Sequence, residues 1–265
     1  MRTNRWRLIG MAFLVASTVA GAAVAATPDV NGAIVIERVF NDCPGSTLTV
    51  VNDYPWEIMI QDVGSNCYGW ANLHVWRMAY DGAEVLFPND SAFRICGNLT
   101  ITGDGAGEAG LQIGPWWSEA DGRFQVRSTD GEIACWGGRL PFFSFTATFG
   151  VTYVKGNTIN LCMTYLPGDL DESNPGTIQY QVFYDGMFYS SGRLPFDEGN
   201  PSEPYGLWGI LDDAKVGGFF QPLWALGGNP NATIAATFND ICWQDLYAVP
   251  TEESSWGQVK SLYRD

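Results

Sequence analysis

From Gly32 onward the chain alternates apolar and polar residues in run after run, with turn residues between the runs. Side chains alternate across a strand, so each such run predicts a strand with one core face and one polar face. In the first part, residues 32–40, 47–51, 55–62, 73–80, 83–87 and 92–102 read as strands. Asn41 to Gly45 is a turn cluster, 64–70 a loop with one cysteine, and Asp81-Gly82 a hairpin turn. The most regular stretch is 108–142. In it Ala109, Leu111, Ile113 and Pro115 face one way, and Glu108, Gly110, Gln112, Gly114 and Trp116 the other. Phe124 and Val126 oppose Arg123, Gln125 and Arg127, and Ile133 and Cys135 oppose Glu132, Ala134 and Trp136. Asp121-Gly122 and Asp130-Gly131 turn the chain between these runs. The expectation is the middle of a large curved antiparallel sheet whose polar face lines a groove.

Further on, 143–154 alternates with Phe143, Phe145, Phe149 and Val151 inward, and 157–165, 178–184 and 187–190 follow as strands. Strands are also read at 207–211, 217–221 and 233–246. Gly138-Arg139-Leu140-Pro141-Phe142 recurs as Gly192-Arg193-Leu194-Pro195-Phe196. The flanks do not match, so this reads as one turn chemistry used twice, with Pro ending or edging a strand. No helix longer than about two turns is expected before the tail.

Composition agrees: 31 Gly, 14 Pro and only 16% charged residues suit a turn-rich β protein. The net charge of −15, with no basic run, disfavours nucleic acid and anionic lipid as partners. Arg2, Arg5 and Arg7, an apolar run over 8–19 and Ala23-Val24-Ala25 read as a secretory signal peptide spanning 1–26. The β domain is then 27–247, with no membrane span in the mature chain and a tail over 248–265. Trp256, Val259 and Leu262 give the tail helical spacing, and an exported protein can carry a sorting or attachment signal there. The six cysteines of an exported chain favour disulfides, and His74, the one histidine, speaks against zinc and supports no triad. Asn89, Asn98 and Asn231 begin glycosylation sequons.

About a dozen alternating strands with two inward patterns define an all-β, two-sheet antiparallel β-sandwich. Its strand order resembles the concanavalin A-like lectin/glucanase jelly roll, which includes laminin-G-like modules. The passages that carry the likeness are Glu108-Ala109-Gly110-Leu111-Gln112-Ile113, the hairpin from Tyr180 to Asp185-Gly186, and the closing Ala236 to Trp243. The resemblance covers roughly 32–247 and implies neighbouring first and last strands, with a Cys43–Cys242 bridge between them. It also implies carbohydrate chemistry. The glycanases' Glu-x-Asp-x-x-Glu strand, the alginate lyases' Gln-x-His strand and the legume lectins' metal spacing are all missing here, which weighs against known catalysis.

The candidate ligand-binding face is Glu108, Gln112, Trp116, Arg123, Gln125, Arg127, Glu132 and Trp136. Aromatic rings stack on the apolar faces of sugars, and planar polar side chains fix hydroxyls. Glu108 and Glu132 are the one pair there that suits acid/base cleavage of a glycosidic bond. Asp169, Asp171 and Asn174 form an oxygen-rich loop suited to calcium, and 197–200 is a second acidic loop. Three functions remain open: an exported carbohydrate-binding or adhesion protein, an atypical glycoside hydrolase or polysaccharide lyase, and a structural surface subunit.

Overall fold

The computed structural model describes residues 28–114, 122–137, 140–196, 208–224 and 229–246. The chain runs β1 (Gly32–Asn41), β2 (Thr47–Asp53), β3 (Glu57–Val63), β4 (Asn72–Tyr80), β5 (Ala83–Glu84), β6 (Phe93–Gly103) and β7 (Ala106–Gly114). It continues through β8 (Arg123–Arg127), β9 (Ile133–Trp136), β10 (Phe143–Ser144), α1 (Phe145–Phe149), β11 (Thr158–Leu166) and β12 (Thr177–Tyr184). β13 (Met187–Pro195), β14 (Lys215–Leu223) and β15 (Thr233–Asp245) complete it. Two antiparallel sheets result. The first is ordered β1-β4-β14-β7-β8-β9-β10, with β5 beside β4; the second is β13-β12-β11-β6-β15-β3-β2. This is the two-sheet antiparallel β-sandwich that the alternation predicts, in the jelly-roll form that the resemblance implies. Among the described residues no helix is long and apolar enough to cross a membrane.

The core lies between the sheets. Trp76 of β4 meets Phe238 of β15 edge-on at 5.4 Å, and Phe124 of β8 meets Tyr180 of β12 at 5.2 Å. Burying side chains of this size contributes roughly 1.5–3 kcal/mol each. One polar group also crosses the interior. Asp62 of β3 accepts hydrogen bonds from Asn72 Nδ2 (2.7 Å) and His74 Nε2 (3.3 Å) of β4. Arg38 N donates to His74 Nδ1, so the ring proton sits on Nε2 and points at Asp62. Both side chains are fully buried, so His74 is a core histidine.

Four expectations need correction. β1 and β15 are in different sheets, so Cys43 does not meet Cys242. The bridges are instead Cys43–Cys67 and Cys96–Cys162, while Cys135 is buried and free and Cys242 exposed and free. The single strand read over 143–154 stops after two residues. Ser144 Oγ accepts from Ala147 N and caps α1, and Gly150 closes it at φ 70°. In the run read over 83–87, only Ala83–Glu84 pairs as a strand beside β4. Over 208–211 the chain bends and forms no strand.

At the far edge of the second sheet, β12 and β13 slip register between Gln179 and Gln181. There Ser191 Oγ accepts from Tyr180 N in place of a backbone carbonyl. Phe183, Met187 and Phe188 at that hairpin are exposed, and Pro195 ends the strand.

Candidate functional site

The site lies on the outer face of the first sheet, where the registers of β4, β14, β7, β8 and β9 stack side chains into rows. One row runs Arg77, Gly217, Gln112, Arg123, Trp136. The next runs Val75, Phe219, Gly110, Gln125, Ala134, and a third holds Gln221, Glu108 and Arg127. Their neighbours in sequence, Ala109, Leu111, Ile113, Phe124 and Val126, point into the core. Glycines let the central strands close up: a Cβ on Gly110 would run into the backbone of Phe124 and Gln125, and one on Gly217 into that of Trp76 and Arg77.

Arg123 lies with its guanidinium 4.4 Å from the centre of the Phe219 ring and donates to Gln221 Oε1 at 2.6 Å. Arg127 is held by acids. Its Nε and Nη2 donate to the two oxygens of Asp130 at 2.8 and 2.6 Å, and Nη2 also donates to Glu132 at 2.6 Å. Its Nη1 stands 3.9 Å from Glu108. Burial pushes the Glu108 carboxyl up, against the pull of Arg123 and Arg127, and the charges of Asp130 and Glu132 push the same way. Asp130 is lowered, chiefly by its hydrogen bond from Arg127. One guanidinium therefore sits among three carboxylates.

Above these side chains is a cavity of about 460 Å³, lined among others by Trp70, Glu108, Arg123, Arg127, Trp136 and Gln221. Trp70 and Trp136 are 57% and 41% exposed, which places two indole faces in solvent at a hollow. Trp70 precedes β4 and Trp136 lies in β9, four strand spacings or roughly 19 Å apart along the sheet.

Of the residues expected at the groove, Glu108, Arg123, Arg127 and Trp136 line this cavity, and Glu132 is bonded to its wall. Gln112 and Gln125 belong to the same face but are buried, at 3% and 0% exposure, and do not line the cavity. Trp116 lies outside the described residues. Trp70, Asp130, Gln221 and Leu223 line the cavity too and were not anticipated. Gln221 alternates with Gly217 and Phe219, which was the available sign. Its neighbourhood depends on β14 inserting between β4 and β7, a long-range pairing with no local signal.

In the loop suggested for calcium, Asp171 Oδ1 accepts from Ser173 N, Ser173 Oγ and Asn174 N, at 2.7 to 3.0 Å. Asn174 turns its amide nitrogen to Asp169 Oδ2 at 2.9 Å. Asp171 Oδ1 and Asp169 Oδ2 thus take hydrogen bonds from within the loop. Among the described residues no three His, Cys, Asp or Glu side chains gather as a metal site. The acidic loop 197–200 lies outside the described residues.

No protein family matches the chain, and no curated protein does. Among solved structures it is similar to the family 7 alginate lyase A1-II′, with 10% identity and a TM-score of 0.43, over 74% of this chain and 83% of that one. It is similar also to the alginate lyase from Klebsiella pneumoniae, with 9% identity and a TM-score of 0.47, over 81% and 95%. Arcelin-5, a lectin-like defense protein from Phaseolus vulgaris, matches at 12% identity and a TM-score of 0.36, over 81% and 100%. At these values the likeness is one of strand arrangement, and the chemistry of the groove rests on its own residues.

Proposed function

We propose that this is an exported carbohydrate-binding protein that holds a glycan in the groove across its first sheet. The observation that carries the reading is the pair of exposed indoles, Trp70 and Trp136, at a cavity floored by planar polar groups. Indole faces stack under sugar C–H faces, while guanidinium, carboxylate and amide edges hold hydroxyls. The cavity is within the size range of small-ligand sites, about 300–1,000 Å³. Export fits the two disulfides, which form and persist in oxidising compartments.

The test is titration of the mature protein with an oligosaccharide panel, followed by Trp136→Ala and Trp70→Ala. Each variant is expected to weaken binding at least tenfold while leaving Tm within a few degrees, since both side chains stand in solvent. Unchanged affinity in both variants would count against the groove. A cleaving enzyme is favoured only by Glu108, whose carboxyl burial pushes up, with Glu132 also against Arg127, so new sugar ends released in the same incubations would replace binding with catalysis as the function.

A further inference from the structure

The charged groups of the groove are already spent on one another and on the amide beside them. Every nitrogen of Arg127 faces Asp130, Glu132 or Glu108. Arg123 is taken up by Gln221 and the Phe219 ring. The described acids on the face, Glu108, Asp130 and Glu132, outnumber the two arginines that meet them, on a protein of net charge −15. An anionic sugar would enter a field of its own sign and would have to displace Asp130 or Glu132 to reach a guanidinium. A neutral sugar meets no such repulsion, and its hydroxyls pair with the carboxylate and guanidinium edges that line the cavity without displacing one charge from another.

From this we infer that the groove takes a neutral, hydroxyl-rich glycan and turns away polyuronates and sulfated glycans. The inference rests on the glycan-binding reading above and adds the substrate class. Titration against two panels tests it, one of neutral gluco-, manno-, xylo- and chito-oligosaccharides and one of oligouronates and sulfated oligosaccharides. Binding is expected in the neutral panel only, with affinity changing less than twofold between 50 and 500 mM salt, since few ion pairs form or break. Tighter binding of the acidic panel, or a steep fall with salt, overturns the inference and leaves a glycan-binding groove. Binding in neither panel overturns the functional reading as well.

A separate row of residues on the outer face of the second sheet carries a second inference. Cys162, Cys96 and Cys242 are in register across β11, β6 and β15. On each strand the flanking residues, such as Ile95, Leu161, Met163 and Ile241, point into the core, so the three sulfurs share the outer face. Cys96 is bridged to Cys162, and Cys242 is a free, exposed thiol on its other side. Antiparallel partners stand about 4.5–5.5 Å apart at Cα, within the reach of a disulfide.

We propose that the bridge exchanges between the two flanking strands. The Cys242 thiolate attacks Cys96 Sγ, the Cys96–Cys242 bond forms, the Cys96–Cys162 bond breaks, and Cys162 leaves as a thiolate that takes up the proton Cys242 gave up. No outside oxidant or reductant is consumed. The native protein is held at pH 8, quenched with N-ethylmaleimide and mapped without reduction. The expected map contains both linked peptides, with the label on Cys242 in one population and on Cys162 in the other. Cys242→Ser should leave only the Cys96–Cys162 peptide. A wild-type map with that single peptide and label on Cys242 alone, or with Cys242 linked to another chain, overturns the exchange.

Discussion

Asp62→Ala is expected to lose about 3–5 kcal/mol of folding stability at pH 7. The carboxylate is the one acceptor that Asn72 and His74 share between the sheets, and both donors stay buried when it is removed. Asp62→Asn keeps the volume and one oxygen, so its loss should be roughly half as large. The effect has a pH dependence of definite sign. Burial alone would raise the Asp62 carboxyl, but hydrogen bonds from His74, Ser46 and Asn72 outweigh it and hold the group below its ordinary range. A carboxyl lowered by folding contributes stability above its unfolded pKa of about 3.9, and loses it as pH falls through the lower folded value. The gap between wild type and Asp62→Asn in urea melts should therefore be full at pH 6–7 and narrow below about pH 4. A gap that persists undiminished at pH 2.5 would show that the carboxylate's charge is not what holds the sheets there.

Gly110→Val is expected to lose about 3 kcal/mol or more, roughly 6–12 °C in Tm for a domain of this size. An added Cβ would meet Gln125 Cα at 2.8 Å and the Phe124 carbonyl carbon at 2.9 Å, all of it backbone that no rotamer change can move. β7 and β8 would have to separate, and Glu108, Arg123 and Arg127 move with them. Stability and glycan affinity should fall together here, whereas Trp136→Ala changes affinity alone. An unaltered Tm in thermal melts of Gly110→Val would mean that the two strands are not so closely apposed.

Much of this was readable from the chain by alternation. In β7, β8 and β9 it put Ala109, Leu111, Ile113, Phe124 and Val126 in the core and Glu108, Gln112, Arg123, Gln125 and Arg127 on the opposite face. What alternation cannot convey is who lies next to whom. The cavity needs Gln221 from β14 and Trp70 from the approach to β4, brought beside β7 by pairings across more than 100 residues in the case of Gln221. Nor does it tell a solvated polar face from a buried one, and Gln125 proved fully buried. In 143–150 the local chemistry of Ser144 and Gly150 prevailed over a period-2 pattern, because β10 has only two residues paired to β9 to hold it straight. The Cys96–Cys162 disulfide followed register, with the two cysteines facing each other across adjacent strands, while Cys43–Cys67 joined two loops.

The slipped register of β12 and β13 bears on how copies of this molecule behave in a crowded solution. A strand at the margin of a sheet is an invitation to polymerise, all the more with Phe183, Met187 and Phe188 in solvent beside it. An incoming strand needs a straight, evenly spaced ladder of donors and acceptors. β13 does not supply one: its slip against β12 bends it, Gly192 adopts φ 69°, and Pro195 has no N–H to give. That margin can therefore keep its aromatic side chains in the open while denying a neighbouring copy the template for fibre growth.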